Sequence, residues 1–139
     1  MKNKTIITLL STILLSCTAQ GPVPFKIGKD ACDHCKMTVM SKKNGMEFIS
    51  DKGKIFKFDD ISCGVNYLKA NKPTGKWYVA DFQNGNLVEA EKAFYLKSDK
   101  LRTPMNSSII AFATKEFAEK NKKKSGGEIL TWPAVQDLY

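Results

Sequence analysis

The stretch Cys32-Asp33-His34-Cys35-Lys36-Met37 sets two thiols three positions apart, with an imidazole between them and a thioether two residues beyond. Thiolate and thioether sulfurs are soft ligands that select Cu(I), and a thiolate-dominated set also suits Zn(II). The same six residues are compatible with other chemistry. Two cysteines at this spacing also make a structural disulfide, a redox dithiol, or a pair of free thiols. A c-type haem attachment is excluded, because Lys36 stands where C-x-x-C-H requires histidine.

The N-terminus narrows the choice. Lys2 and Lys4 precede an apolar run from Ile6 to Leu15, interrupted by Thr8, Ser11 and Thr12. At about ten residues it is half the ~20 needed for a spanning helix, so it reads as an export signal. Leu14-Leu15-Ser16-Cys17 resembles a bacterial lipobox, in which the cysteine is acylated and becomes the mature N-terminus; an ordinary signal cleaved near Ala19 is the alternative. Several acyl chains anchor a protein stably, where one does so only marginally. The expected organisation is a lipoprotein signal over residues 1–16, a flexible tether over 17–29 starting at lipidated Cys17, and one metal-binding domain over 30–139. The domain would face the periplasm or the cell exterior from a membrane anchor.

Export changes the meaning of charge and of cysteine number. Loss of the two leader lysines lowers the formal charge from +8 to +6. In a cytosolic chain such a balance suggests nucleic acid. An exported chain does not meet the genome, so no nucleic-acid partner is expected, and anionic headgroups or an acidic protein match the charge better. With Cys17 on lipid, Cys32, Cys35 and Cys63 remain. An odd number of thiols outside the cytosol leaves one unpaired, or several held by metal.

The elements that must position these residues follow from local pattern. Met37–Met40 is expected to open a first strand, turning at Asn44-Gly45 into a second over Met46–Ser50. Lys54–Phe58 is a third, with Phe56 and Phe58 on one face. Asp59-Asp60 opens a helix whose apolar stripe is Ile61, Val65 and Leu68, ended by Pro73 to Gly75. If Asp60 is the cap, Cys63 falls in the first turn, where the helix dipole favours thiolate; the plainer reading is a small buried helix residue. The second half repeats the plan. Strands are expected at Trp77–Phe82, Leu87-Val88, Phe94–Lys97 and Ser107–Phe112, then a helix over Lys115–Lys124 stopped by Gly126-Gly127. Glu128–Leu130 is placed at a sheet edge and Thr131-Trp132-Pro133 begins a short closing helix. The lysines of 120–124 read as a solvated helix end. The fold class is α+β, two ββαβ-like units in one compact domain. Met105 lies in the loop Pro104-Met105-Asn106, where an apolar side chain has either a functional reason or a place folded back on the core.

The combination and order of these motifs resemble the NosL family of nitrous oxide reductase accessory lipoproteins. The resemblance rests on the lipobox, Cys32-x-x-Cys35-x-Met37, Phe58-Asp59-Asp60 before a helix, and Pro104-Met105 followed by Ile109-Ile110-Ala111-Phe112. It runs from about Lys29 to Lys120. It implies a pair of ββαβ units related in shape to the organomercurial lyase MerB. It also implies a non-enzymatic metallochaperone that binds one Cu(I) outside the cytoplasm and hands it toward the copper centres of nitrous oxide reductase, with an ABC-type membrane complex as partner. Cys32, Cys35 and Met37 match a C-x-x-C-G-M signature, Met105 the methionine of a P-M-G loop, and Asp59 and Asp60 its acidic pair. Lys36 and Asn106 stand where the signature has glycine. Asparagine tolerates positive φ, so the second change preserves the turn.

Chemistry and resemblance together make Cys32 and Cys35 the expected thiolate ligands and Met37 and Met105 the thioether ligands, with Cys63, His34 and Asp60 in reserve. Two thiolates with one or two thioethers suit low-coordinate Cu(I) that must later be released. Zn(II) is a surrogate; by count it has Cys32, Cys35, Cys63 and His34, but His34 between two of the thiols strains such a cage. The rival functions are an extracytoplasmic thiol–disulfide lipoprotein using Cys32 and Cys35, and a structural lipoprotein with an inert disulfide. Against the first, the motif precedes a strand here, whereas in thioredoxin-like proteins it opens a helix.

Overall fold

A computed structural model describes residues 21–139. The expected signal over 1–16, the lipidation of Cys17 and the first part of the tether fall outside the described residues. Among the described residues no helix is long and apolar enough to cross a membrane.

The chain runs β1 (Met46–Ser50), β2 (Ile55–Phe58), α1 (Ile61–Asn71), β3 (Gly75–Ala80), β4 (Leu87–Glu89), a 3₁₀ turn (Ala90–Lys92), β5 (Phe94–Lys97), β6 (Ile109–Phe112), α2 (Lys115–Ser125), β7 (Glu128–Leu130) and α3 (Trp132–Gln136). Two antiparallel sheets result, ordered β2-β1-β3-β4 and β6-β5-β7. Each contains a ββαβ unit whose first strand is central and whose second and third strands flank it. The expected α+β class with two such units is therefore what the fold contains, and β4 extends the first sheet. The sheets meet where Asp81 bridges Ala111, with the Phe82 amide donating to the Ala111 carbonyl at 2.8 Å.

Strand alternation sorts the side chains of β1. Met46 and Phe48 enter the main core with Phe58, Ile61, Val65, Val79, Tyr95 and Ile109. Trp132 of α3 joins the two halves, stacking on Tyr95 (5.7 Å between centroids) and lying 6.3 Å from Trp77, which itself stacks on Phe48. A second cluster of Leu96, Ile110, Phe112 and Ala118 seats α2 on the other face of the second sheet. Glu47 points away from the main core and is buried under the N-terminal segment, its Oε1 accepting the Val23 amide at 2.9 Å.

Two expectations are corrected. Met37–Met40 is not a strand of either sheet, because its hydrogen bonds are spent locally. Val39 donates to the Asp30 carbonyl and accepts from Gly28, and Ala31 bridges Thr38, so the segment closes a small hairpin on residues 28–31. Asn44-Gly45 therefore turns the chain into β1 without pairing two strands. The expected tether over 17–29 is held to the domain from Val23 on. Besides the Val23 contact, the Pro24 carbonyl accepts from Lys57 Nζ at 3.1 Å, and that ammonium lies over the Phe25 ring.

Candidate metal centre

The small hairpin carries Cys32 to Met37 at its tip. The Cys32 amide donates to the Met37 carbonyl at 2.8 Å and the Lys36 amide to the Cys32 carbonyl at 2.9 Å. The loop is strapped to the free edge of β2 at one residue pair. The Asp33 amide donates to the Lys57 carbonyl, and the Lys57 amide donates to Asp33 Oδ2, both at 2.7 Å. Lys57 Nζ then pairs with Asp30 Oδ2 at 2.7 Å, both side chains largely shielded from solvent. Lys36 has φ +67° and Asn106 has φ +55°. Both positions that hold glycine in the resembled signature thus keep the left-handed backbone that glycine adopts most readily.

Directly after β2, Asp59 and Asp60 are buried and do different work. Asp60 is the N-cap of α1, with extended backbone (φ −143°, ψ 151°) and Oδ1 accepting from the Ser62 amide at 2.8 Å. That cap starts the helix so that Cys63, its third residue, faces the loop, while Asp59 turns toward the same point. Cys32, Cys35, Asp59 and Cys63 each bring one ligand atom, and the four atoms lie within 4.8 Å of one another. Cys35 Sγ donates to Asp59 Oδ1 at 3.5 Å. Cys35 is partly exposed; the other three are buried.

The electrostatics single out Cys32. A hydrogen bond from the Cys63 thiol brings its pKa down to about 6, against the opposing effect of burial and with help from the amides of Cys35, Asp59 and His34. The Cys35 amide lies 3.4 Å from Cys32 Sγ. The Cys63 thiol is pushed up because its proton is shared with Cys32, and burial adds to this. Burial likewise raises Cys35, with the Cys32 sulfur adding to the rise. Cys63 is thus the small buried helix residue of the plainer reading and keeps its proton despite the helix start: Cys63 is the donor, Cys32 the acceptor.

Of the residues expected from sequence, Cys32 and Cys35 meet in this cluster, and Cys63 joins them from reserve. Asp59 takes the fourth place. It was legible only as one of an acidic pair; the signal is that one acid caps the helix, leaving its neighbour free to turn inward. Asp60, the acid held in reserve, has both oxygens engaged, Oδ1 on Ser62 and Oδ2 on the Met105 amide at 3.0 Å. His34 is exposed and is not among the four. Met37 and Met105 lie outside the buried cluster, 55% and 40% exposed. Met105 is nevertheless tied through its backbone to the residue beside Asp59.

A model of the NosL family matches residues 23–139. No curated relative matches the chain. Among solved structures, the crystal structure of the copper chaperone NosL from Shewanella denitrificans is similar, with a TM-score of 0.67 and 17% sequence identity, over 84% of this chain and 93% of that chain. At this identity the likeness is one of fold.

Proposed function

Since the chain belongs to the NosL family, we propose that it is a Cu(I) carrier acting outside the cytoplasm. Cys32 and Cys35 hold the metal with Cys63 beside them, and Met37 and Met105 offer thioethers at the exposed rim. The observation that carries this reading is the meeting of three thiols and one carboxyl within 4.8 Å at the tip of a strapped loop. Three sulfur donors form a soft set that retains Cu(I) at low coordination number. Cys32 presents a thiolate before metal arrives, and the other two thiols lose their protons on binding. Exposed thioethers are weaker donors, so they provide a route by which ligands exchange one at a time with an acceptor. The acceptor is the maturation pathway of the nitrous oxide reductase copper centres, reached through an ABC-type membrane complex, with the domain held at the membrane by lipid on Cys17. A thioredoxin-type reading is disfavoured because the two thiols sit in a loop pinned to a strand edge and do not open a helix.

The test is an anaerobic competition titration of reduced protein with Cu(I) against a coloured Cu(I) chelator, with Zn(II) in parallel. One tight Cu(I) per chain, little affected by zinc, is expected, and Cys32→Ser with Cys35→Ser should abolish it while the fold persists. Unchanged affinity in that double variant would sink the site assignment.

A further inference from the structure

We infer that Asp60 is a positioning residue that holds the Met105 loop against the sulfur cluster through the loop's backbone, without itself binding metal. The inference rests on the proposed reading of Met105 as a thioether ligand. Asp60 is fully buried between Asp59 and the first turn of α1. Its two oxygens face different parts of the chain. Oδ1 accepts from the amide and the hydroxyl of Ser62, both at 2.8 Å, and so fixes the start of the helix that carries Cys63. Oδ2 accepts from the Met105 amide at 3.0 Å, across 45 residues. Among the described residues this is the one hydrogen bond that joins the loop 103–107 to the unit carrying the cysteines.

The loop is built to present one residue. The Asn106 amide donates to the Thr103 carbonyl at 3.0 Å, Thr103 Oγ1 and Ser107 Oγ share a hydrogen bond at 3.0 Å, and the Ser108 amide reaches Thr103 Oγ1 at 3.3 Å. Asn106 and Ser108 both take left-handed backbone, at φ +55° and +59°. Asn106 adopts it readily, whereas a serine such as Ser108 holds it only where the surroundings over-determine it. These internal bonds shape the loop, the β5–β6 pairing and the Ser107–Tyr139 side-chain contact hold its flanks, and the Asp60 bond ties its tip to the unit that carries the cysteines. One carboxyl thus sets the position of Cys63 on one side and of Met105 on the other, and a shift of either oxygen changes the distance from thioether to thiols.

The two functions of Asp60 are separable. Asn and Ser cap helices about as well as Asp. Asp60→Asn keeps an oxygen for Ser62 but turns an N–H toward the Met105 N–H, and Asp60→Ser keeps a cap and has no second acceptor. In both, α1 and Cys63 stay in place while the Met105 loop is released. Cu(I) affinity is read by competition with a coloured chelator for wild type, Asp60→Asn, Asp60→Ser, Met105→Leu and Asp60→Asn/Met105→Leu. Asp60→Asn and Asp60→Ser should each weaken binding about 10- to 100-fold, the usual effect of losing an outer-shell partner, and by the same factor as Met105→Leu. The double variant should be no weaker than the singles, and amide exchange at residues 105–107 should quicken in the Asp60 variants alone. A merely structural role would make the losses multiply in the double variant, and that result overturns the inference. So does full affinity in both Asp60 variants while Met105→Leu is weak. If Met105→Leu itself binds normally, the thioether reading falls and the inference with it; if wild type binds no Cu(I), the proposed function falls as a whole.

Discussion

The number of protons released on Cu(I) loading reports how many cysteines bind. Every coordinating thiol must be a thiolate. Near pH 7.5 Cys32 already is one, with its pKa brought down to about 6 by the Cys63 hydrogen bond, whereas Cys35 and Cys63 are raised and carry protons. Binding by all three sulfurs should therefore release about two protons per metal, and binding by Cys32 and Cys35 alone about one. The sign follows directly. Protons compete with the metal, so affinity falls as pH falls. Between about pH 7 and 8.5 it should change about 100-fold per pH unit for three thiolates and about tenfold for two, and below about pH 6 the dependence steepens as Cys32 itself takes up a proton. The assay is competition at several pH values, checked by dye-detected proton release in weak buffer. Cys63→Ser retains a donor toward Cys32 and should lower the count to about one. A count of about one in wild type, unchanged by Cys63→Ser, would show Cys63 to be a buried bystander. A count of about three would refute Cys32 as the resting thiolate.

The strap beneath the loop has its own pH dependence. Burial alone would raise Asp30, but the Lys57 ammonium and the Lys26 amide hold it below the usual carboxylate range, so the pair's stabilisation is present above that range and is lost as pH falls through the lowered value. A double-mutant cycle of Asp30→Asn and Lys57→Met, read by thermal melts at pH 7.5, is expected to give about 1–2 kcal/mol of coupling, between the values for exposed and buried pairs, and coupling near zero would dismiss the pair as a support of the loop. At Lys36, where φ is +67°, Lys36→Gly should keep the fold and the Cu(I) affinity, while the β-branched Lys36→Ile should cost about 1–2 kcal/mol; equal melts for the two would contradict the backbone argument. Glu47 is raised by burial, and its Oε2 has no hydrogen-bond partner among the described residues, so its ionised form weighs against the fold as pH rises through the raised value. Glu47→Gln should melt higher than wild type at pH 7.5 and alike near pH 4, and a gain of the same size at both would show that ionisation is not its cause.

Local sequence determined what depends on neighbours in the chain. Alternation places Met46 and Phe48 inward, one acid of the Asp59-Asp60 pair caps α1, and Gly126 ends α2; each is set by interactions within a few residues. Cys32 and Cys35 were legible as a pair for the same reason. Met37–Met40 has the apolar character of a strand, yet where its backbone bonds go is decided by the hairpin it closes on residues 28–31. The tether's composition is that of a linker, yet Val23 and Pro24 meet Glu47 and Lys57 only once β1 and β2 are paired. Of two adjacent acids, sequence alone does not say which turns inward. Docking α1 on the first sheet assigned the cap to Asp60 and the cluster to Asp59, and the same docking carried Cys63 to Cys32, where the Cys63 thiol keeps its proton and Cys32 is left as the thiolate. Periodicity and capping are short-range properties and can be read along the chain, whereas a ligand set assembled from a loop, a strand end and a helix exists only after those elements pack.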